Sequence, residues 1–441
     1  MNLLTTFFLL ACADPDSDPK GETDTDTDTD TDTDTDTDTD TDTDTDTDTD
    51  TDTDTDLPCT ATWTPADGGP VDVTAADLGG EGATAVVTWN APASGELALC
   101  DETYRLNVHV GAGQRVALTS VDPARQAVVD GEDGVAVFSD KAAAITLSDL
   151  EVRGDVPVWL QCGKSADPCP GAQVEATRVT FTGGAVTSYD TSAGLRVTDS
   201  VMQPRAGYNS VAISGSWLDL ALDGVTVRDH AAGGVSVTLI GPAATITDST
   251  FRDLGNAGGG ALDIDWTRNF SDQTLDLNGT SFADNLAGGT IATVYVRPGG
   301  PLTVTGGIFT NNEASAALDV GWAASVVSDV QITGQYAGAG VRGVATEWSD
   351  IQCDQVWDSC VTLREALSGV QPSATLTGGA MTRGTNYQVQ VQWIEGTVEI
   401  VGIDFGTGAT AGEYGDVAYG GNFYDYDGET SVTCTSGTCA R

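Results

Sequence analysis

Aliphatic and polar residues alternate with a period of two in short segments that recur along most of the chain. Each segment ends in Asp or Gly and is closed by one apolar residue, as in "ATITDSTF", "LDLNGTSF" and "LTVTGGIF". The closing residues lie 21–31 positions apart, about 25 on average. They are Val152, Phe181, Met202, Val227, Phe251, Phe282, Phe309, Ile332, Cys353, Met381 and Phe405. A fixed period of this length with β-type residues predicts a β-solenoid.

Small and polar residues separate these segments, as in "FADNLAGGT" at 282–290. Coils of a β-solenoid stack about 4.8 Å apart, so the closing residues are predicted to form one interior ladder. Gly, Asn and Asp adopt the left-handed backbone that a sharp corner needs, so "FADNLAGGT" is predicted to be a corner. The amides of Asn285, Asn311 and Asn312 are expected to bridge successive coils.

One corner also matches the pattern F-x-[DN]-N-x-x-G-G-x-[ILV], through Phe282, Asp284, Asn285, Gly288, Gly289 and Ile291. With this pattern, residues 95–408 resemble the right-handed parallel β-helix repeat proteins of the pectin-lyase-like superfamily. The resemblance implies an all-β fold, a single right-handed parallel β-helix. The repeats predict about 11–13 coils.

The ends of an open solenoid need covering because exposed edge strands aggregate. Residues 57–94 are predicted to form an N-terminal cap, and residues 409–441 a C-terminal cap. Residues 12–56 include seventeen Thr-Asp repeats, from Thr23 to Asp56, without one apolar residue. Such a segment cannot bury surface, so 12–56 is predicted to be a disordered linker that like charges extend.

The chain begins "MNLLTTFFLLAC", whose apolar run is too short to span a bilayer but suits a secretory signal. Leu9 to Cys12 resembles the lipobox of bacterial lipoproteins, although no Lys or Arg precedes it. The resemblance implies a signal peptide at 1–11, a lipidated Cys12 and, with Ala13 following, the outer membrane. The protein would be exposed at the cell surface or in the periplasm. An ordinary secretory signal is the alternative.

The chain has nine cysteines, so one is left without a disulfide partner. A lipid on Cys12 would account for that one. The other eight fall into pairs, which predict four disulfides in an oxidising compartment. The pairs are Cys59–Cys100, Cys162–Cys169, Cys353–Cys360 and Cys434–Cys439. Free thiols or a metal site are the alternatives, but neither histidine of the chain lies near a cysteine pair. No metal is predicted.

The net charge of −48 excludes nucleic acid and anionic membrane surfaces as partners. Removing the 17 aspartates of the repeat still leaves −31. We expect a monomer that contacts a membrane only through its lipid. A polysaccharide or cell-surface glycan is the expected partner. No cofactor is predicted; "NFYDYDGET" at 422–430 suggests calcium, but its spacing differs from a Ca²⁺-binding loop.

Enzymes of the resembled superfamily act on acidic polysaccharides, but the sequence signatures of its polygalacturonases and alginate epimerases are absent here. The best carboxylate cluster is Asp263, Asp265 and Asp319, which alternation places outward on one flank. Arginines that could complete a lyase-like site are Arg268, Arg297 and Arg342. The alternative is that these aspartates and arginines are solvated surface charges without a catalytic role.

Aromatic residues are predicted at one coil position of three consecutive coils, namely Trp266, Tyr295 and Trp322, and Trp393 ends a similar strand. Strict alternation turns them inward as a core stack; at a strand end they could instead offer a sugar-stacking platform. The sequence favours a surface lipoprotein that binds glycans or mediates adhesion without catalysis. The alternatives are a polysaccharide lyase or glycoside hydrolase acting on the β-helix flank, and a structural surface protein without ligand.

Overall fold

A computed structural model describes residues 59–139, 142–161, 171–189, 193–255, 260–286, 292–321, 323–342, 345–364, 373–382, 387–392, 396–405, 423–425 and 430–437. Their regular structure is β-strand apart from one 3-10 turn, Ala75–Leu78. No helix in these ranges is long and apolar enough to cross a bilayer. The predicted signal peptide, Cys12 and the Thr-Asp linker lie outside the described residues.

The strands form three parallel sheets, and the chain visits each sheet once per coil. The first sheet contains Gly95–Leu99, Arg115–Ser120, Ala144–Ser148, Gln173–Thr177, Gly194–Thr198, Asp219–Asp223, Ala243–Thr247, Gln273–Ala283, Leu302–Thr310, Ser325–Ser328, Ala345–Ser349, Ser373–Thr377, Gly396–Ile403 and Thr430–Gly437. The second contains the start of Thr103–Val110, then Ala127–Asp130, Leu150–Gly154, Thr180–Gly183, Val201–Gln203, Thr226–Arg228, Thr250–Arg252, the ends of Gln273–Ala283 and Leu302–Thr310, Gln331–Thr333, Gln352–Asp354 and Ala380–Thr382.

The third sheet carries the surface of interest. It contains Val87–Asn90, the end of Thr103–Val110, Val135–Ser139, Val156–Leu160, Val186–Ser188, Ile213–Trp217, Val235–Leu239, Leu262–Trp266, Val294–Arg297, Leu318–Gly321, Ala339–Arg342, Ser359–Arg364, Tyr387–Gln392 and Phe423–Asp425. Within the described ranges, twelve complete three-strand coils run from Gly95 to Gln392. The predicted all-β parallel β-helix is confirmed.

The N-terminal part of the described chain has a different topology. Strand Ala61–Pro65 pairs antiparallel with Val71–Val73 and with Gly95–Leu99, the first strand of the first sheet. The disulfide Cys59–Cys100 links this region to the first coil, and Cys353–Cys360 joins the second and third sheets near the other end. Cys162, Cys169 and Cys439 lie outside the described residues.

The corners explain why the repeated segments end in Asp or Gly. After the first sheet, Asp149, Asp199, Asp248, Asp329 and Asp350 have φ between 48° and 60°, and Gly224, Gly279 and Gly378 have the same left-handed backbone. After the second sheet, Asp229, Asp253, Asp284, Asn311 and Gln355 do so. Asp and Asn tolerate this conformation better than most residues, which is why they recur at these positions.

The apolar residues that close the segments stack in one interior column of the second sheet, from Val152 to Met381. The rings of Phe251, Phe282 and Phe309 are parallel stacked, with centroids 5.0 and 4.9 Å apart. All three side chains are fully buried. Each ring covers the next, so no coil buries its own phenylalanine alone, and the predicted ladder is confirmed.

Buried asparagine amides bridge successive coils at the corner that follows the second sheet. Asn285 Nδ2 donates to the carbonyl of Phe251 and to Asn312 Oδ1, at 3.0 and 2.8 Å, and its Oδ1 accepts from the N–H of Leu254. Asn312 repeats the bond to the carbonyl of Phe282 at 2.9 Å. Asn311 occupies the left-handed corner position, with φ 50°, and the coil bridge predicted for its amide stays a prediction.

The phenylalanine ladder yields a stability prediction. Replacing Phe282 by Ala removes a ring packed between two others, so the free energy of unfolding should fall by about 3–5 kcal/mol. Leu286→Ala is the matched control, because Leu286 follows Phe282 in the same coil but is 46% exposed. This substitution should change the free energy of unfolding by less than about 1 kcal/mol. Urea unfolding followed by circular dichroism measures both. Equal effects of the two substitutions would contradict the ladder as the main source of coil-to-coil stability.

His230 yields a prediction about pH. The imidazole is buried at the corner and Nδ1 donates to the carbonyl of Ser210 at 3.2 Å. Burial lowers its pKa from 6.5 to about 4, opposed by that hydrogen bond and by Asp229. The folded protein therefore binds this proton more weakly than the unfolded chain. The stability that this residue contributes is present above pH 6.5 and should fall by about 3 kcal/mol as the pH drops towards 4.

The matched variant is His230→Leu, because the next coil has Leu254 after its own left-handed corner residue. Thermal melting of both proteins between pH 7 and pH 4 separates this effect from the many titrating carboxylates. The melting temperature of the parent should fall relative to that of the variant as the pH drops. A difference that stays constant over this range would rule out a buried neutral His230.

Candidate functional site

Residues on the outer surface of the third sheet form a continuous line because the strands pair in register. This line, the outer column, contains His109, Phe138, Trp159, Thr187, Ser214, Ser236, Asp263, Tyr295, Asp319, Gly340, Thr362 and Gln390. At the usual strand spacing it is about 50 Å long. Its chemistry changes along its length, from aromatic to hydroxyl to acidic, and it ends in the uncharged residues Gly340, Thr362 and Gln390.

The aromatic part contains His109, Phe138 and Trp159 of the outer column together with Tyr189, and is called the aromatic ladder. Ring centroids lie 5.3 Å apart between His109 and Phe138, 5.7 Å between Phe138 and Trp159, and 6.0 Å between Trp159 and Tyr189. Tyr189 is 67% exposed and the other three are partly exposed. Four successive coils thus present ring surfaces on one side of the molecule.

A groove of about 440 Å³ lies beside the aromatic ladder. It is lined by Thr88, Asn107, Val108, His109, Val135, Phe138 and Trp159. His109 is held in place because its Nδ1 donates to Asn90 Oδ1 at 2.9 Å. The groove has an aromatic wall, a few amide and hydroxyl groups, and no carboxylate, lysine or arginine among these lining residues. This combination is typical of a small-molecule or sugar site.

The middle of the outer column is built from hydroxyl side chains. Ser214 Oγ donates to Thr187 Oγ1 at 3.0 Å, and Ser236 follows on the next coil. Short hydroxyl side chains keep this stretch flat, so an extended ligand could run from the aromatic ladder towards the acidic end.

The acidic part centres on Arg297, between two carboxylates and a ring. Its Nη2 lies 3.9 Å from Asp263 Oδ1 and 3.7 Å from Asp265 Oδ2. Its guanidinium carbon lies 5.4 Å from the ring centroid of Tyr295, which is a cation–π distance. Asp319 follows Tyr295 in the outer column and is buried.

Asp263 has a perturbed acidity. Burial raises its pKa, Arg297 lowers it, and the neighbouring Asp265 raises it again; the net direction is upward. A carboxyl group that holds its proton more readily, beside an arginine and a tyrosine, is suited to general acid–base chemistry. In the described part of the chain, no group of three or more His, Cys, Asp or Glu side chains is placed to hold a metal ion.

The three predicted aspartates share one surface. Asp263 and Asp319 lie in the outer column two coils apart, and Asp265 lies beside them. Of the three candidate arginines, Arg297 approaches the aspartates, Arg268 is exposed at the following turn, and the side chain of Arg342 lies outside what the structure describes.

The predicted aromatic stack was wrong in its register. Leu262 pairs with Val294, so Tyr295 lies against Asp263 and not against Trp266. Tyr295 therefore belongs to the outer surface. Trp266 is buried, 3% exposed, and its Nε1 donates to the carbonyl of Gly241 at 3.0 Å, so it is a core residue. Trp322 and Trp393 lie outside the described residues, as do positions 426–429 of the suggested calcium segment.

The aromatic ladder was missed by the sequence analysis. Its signal is present: Phe138 and Trp159 follow buried valines, and His109 lies between two of them, so alternation places all three outward. The first coils lack the clear "Phe … Asn … Gly-Gly" corners, and without those landmarks the sequence does not bring these positions into one register.

Comparisons with known proteins add little beyond this geometry. No protein-family model and no curated protein matches the chain. Among solved structures, the chain is similar to the Azotobacter vinelandii mannuronan C-5 epimerase AlgE6 A-module, at 12% identity over 77% of this chain and 91% of that one. The TM-score of 0.24 is too low to support any conclusion about activity. Membership of the pectin-lyase-like superfamily stays a prediction.

The acidic cluster gives a prediction about proton binding. Arg297→Ala should raise the pKa of the Asp263 carboxyl further, because the arginine favours the charged form. Asp265→Asn should lower it, because a like charge is removed. A carbon-detected titration of Asp-labelled protein measures both, with Asp263→Asn assigning the resonance. Shifts in the same direction for the two variants would contradict the arrangement described.

Proposed function

We propose that this protein is a glycan-binding or adhesion protein whose binding surface is the outer face of the third sheet. The observation that carries the proposal is the aromatic ladder, four rings on successive coils beside a groove. Exposed rings stack on the apolar faces of sugars, and repetition at each coil matches a polymeric ligand. The outer column extends the same surface along the molecule.

We further propose that the protein is a lipoprotein of the outer membrane, held by a lipid on Cys12. The lipobox-like "LLAC" and the charged linker support this part of the proposal. A linker of 34 alternating residues would span on the order of 110–120 Å when stretched, which keeps the binding surface clear of the bilayer.

The acidic part of the outer column favours a second candidate, a polysaccharide lyase or glycoside hydrolase. Asp263 has a raised pKa, and Arg297 and Tyr295 lie beside it. In such an enzyme Asp263 would transfer the proton, Arg297 would bind an oxygen of the substrate, and the aromatic ladder would hold the chain.

The first experiment incubates the protein with neutral and acidic polysaccharides and follows both by size-exclusion chromatography. Co-elution is expected, and Trp159→Ala should weaken binding by roughly 2- to 12-fold, since a stacked ring is worth about 0.5–1.5 kcal/mol. Trp357→Ala is the matched control, because Trp357 is also exposed, at 70%, but lies on a corner eight coils away.

The outcomes separate the two candidates. Co-elution with intact polysaccharide that depends on Trp159 supports a binding protein. Shortened polysaccharide whose formation stops in Asp263→Asn identifies an enzyme. Equal binding by Trp159→Ala and Trp357→Ala would mean that the aromatic ladder is not the binding surface. If no polysaccharide co-elutes with the protein, the proposal of glycan binding is wrong.

A further inference from the structure

Two residues that line the groove each have a buried polar side-chain atom without a hydrogen-bond partner in the structure. The atoms are Trp159 Nε1, a donor, and Asn107 Oδ1, an acceptor. Most buried polar atoms in folded proteins are paired, and leaving one unpaired costs about 1–3 kcal/mol. An unpaired donor and an unpaired acceptor on residues that line one groove, beside exposed rings, suit a ligand that both donates and accepts hydrogen bonds.

The chemistry of these two atoms restricts the ligand. Nε1–H needs an acceptor and Oδ1 needs a donor. A hydroxyl group both donates and accepts, so neighbouring hydroxyls of a sugar satisfy both atoms while the apolar face of the ring lies against Trp159 or Phe138. A carboxylate, sulfate or phosphate group only accepts and leaves Asn107 Oδ1 unpaired.

Charge restricts the ligand further. None of the described residues that line the groove is an arginine or lysine, so an anionic group bound against them would lose water without gaining a counter-charge, which is costly. The chain outside the Thr-Asp repeat carries −31, which repels a polyanion at low salt. Acidic polysaccharides are usually bound through arginine and lysine side chains, and the described lining residues of the groove include neither.

We propose that the groove beside the aromatic ladder selects a neutral, hydroxyl-rich sugar over a uronic acid or a sulfated or phosphorylated sugar. Trp159 provides a stacking face and a donor, Asn107 an acceptor, and His109 and Phe138 the rest of the wall. This inference rests on the proposed glycan binding and specifies its substrate class. It concerns the aromatic end alone and assigns nothing to Asp263 or Arg297.

The test is affinity electrophoresis of the full chain in gels containing hydroxyethyl cellulose, galactomannan, polygalacturonate or alginate, at low and high salt. Retention by a neutral polymer is expected, with little dependence on salt because no ion pair forms. Trp159→Phe keeps the ring and loses the donor, and Asn107→Leu loses the acceptor. Each should weaken retention about tenfold, the effect of one lost hydrogen bond.

Trp357→Phe is the matched control and should leave retention unchanged; melting temperatures check that each variant is folded. Retention by the acidic polymers alone would overturn the inference and leave glycan binding standing. Neutral retention that Trp159→Phe and Asn107→Leu do not weaken would also overturn it. If no polymer retains the protein, the proposed function fails and the inference with it.

Discussion

Every other feature of this protein depends on the in-register pairing of parallel strands from coil to coil. Since each strand pairs residue for residue with the strand above and below it, every position becomes a column along the molecule. Inward columns are apolar and bury one another, as in the stack of Phe251, Phe282 and Phe309. A coil alone buries too little surface, so stability belongs to the stack.

The same constraint builds the candidate site. Side chains that alternation sends outward are aligned without any special fold, so rings from four coils lie together, followed by hydroxyls and then by carboxylates around Arg297. A flat column of this kind suits an extended ligand better than an enclosed pocket does. The groove beside Trp159 is a concave stretch of this surface, and two of its lining residues, Asn107 and Trp159, have unpaired buried polar atoms.

Local patterns predicted the repeated elements well because each repeat contains its own information. The Asp or Gly that ends each segment specifies a left-handed corner, and the apolar residue after it specifies the interior ladder. The prediction failed where a neighbouring coil decides the outcome. Trp266 and Tyr295 look equivalent when strands are aligned by their ends, but pairing of Leu262 with Val294 shifts them to opposite faces, because one residue of register reverses a side chain.

The sequence by itself determined the all-β solenoid, its period, the composition of its corners and its strongly acidic net charge. It also placed Asp263 and Asp319 on one outward flank. Only the tertiary structure decided which coils lie next to each other at Phe138, Trp159 and Tyr189, and so revealed the aromatic ladder. The alternation of apolar and polar residues predicts which face of the sheet a residue occupies. Which residues of neighbouring coils lie side by side depends on the lengths of the loops, and these vary from one repeat to the next.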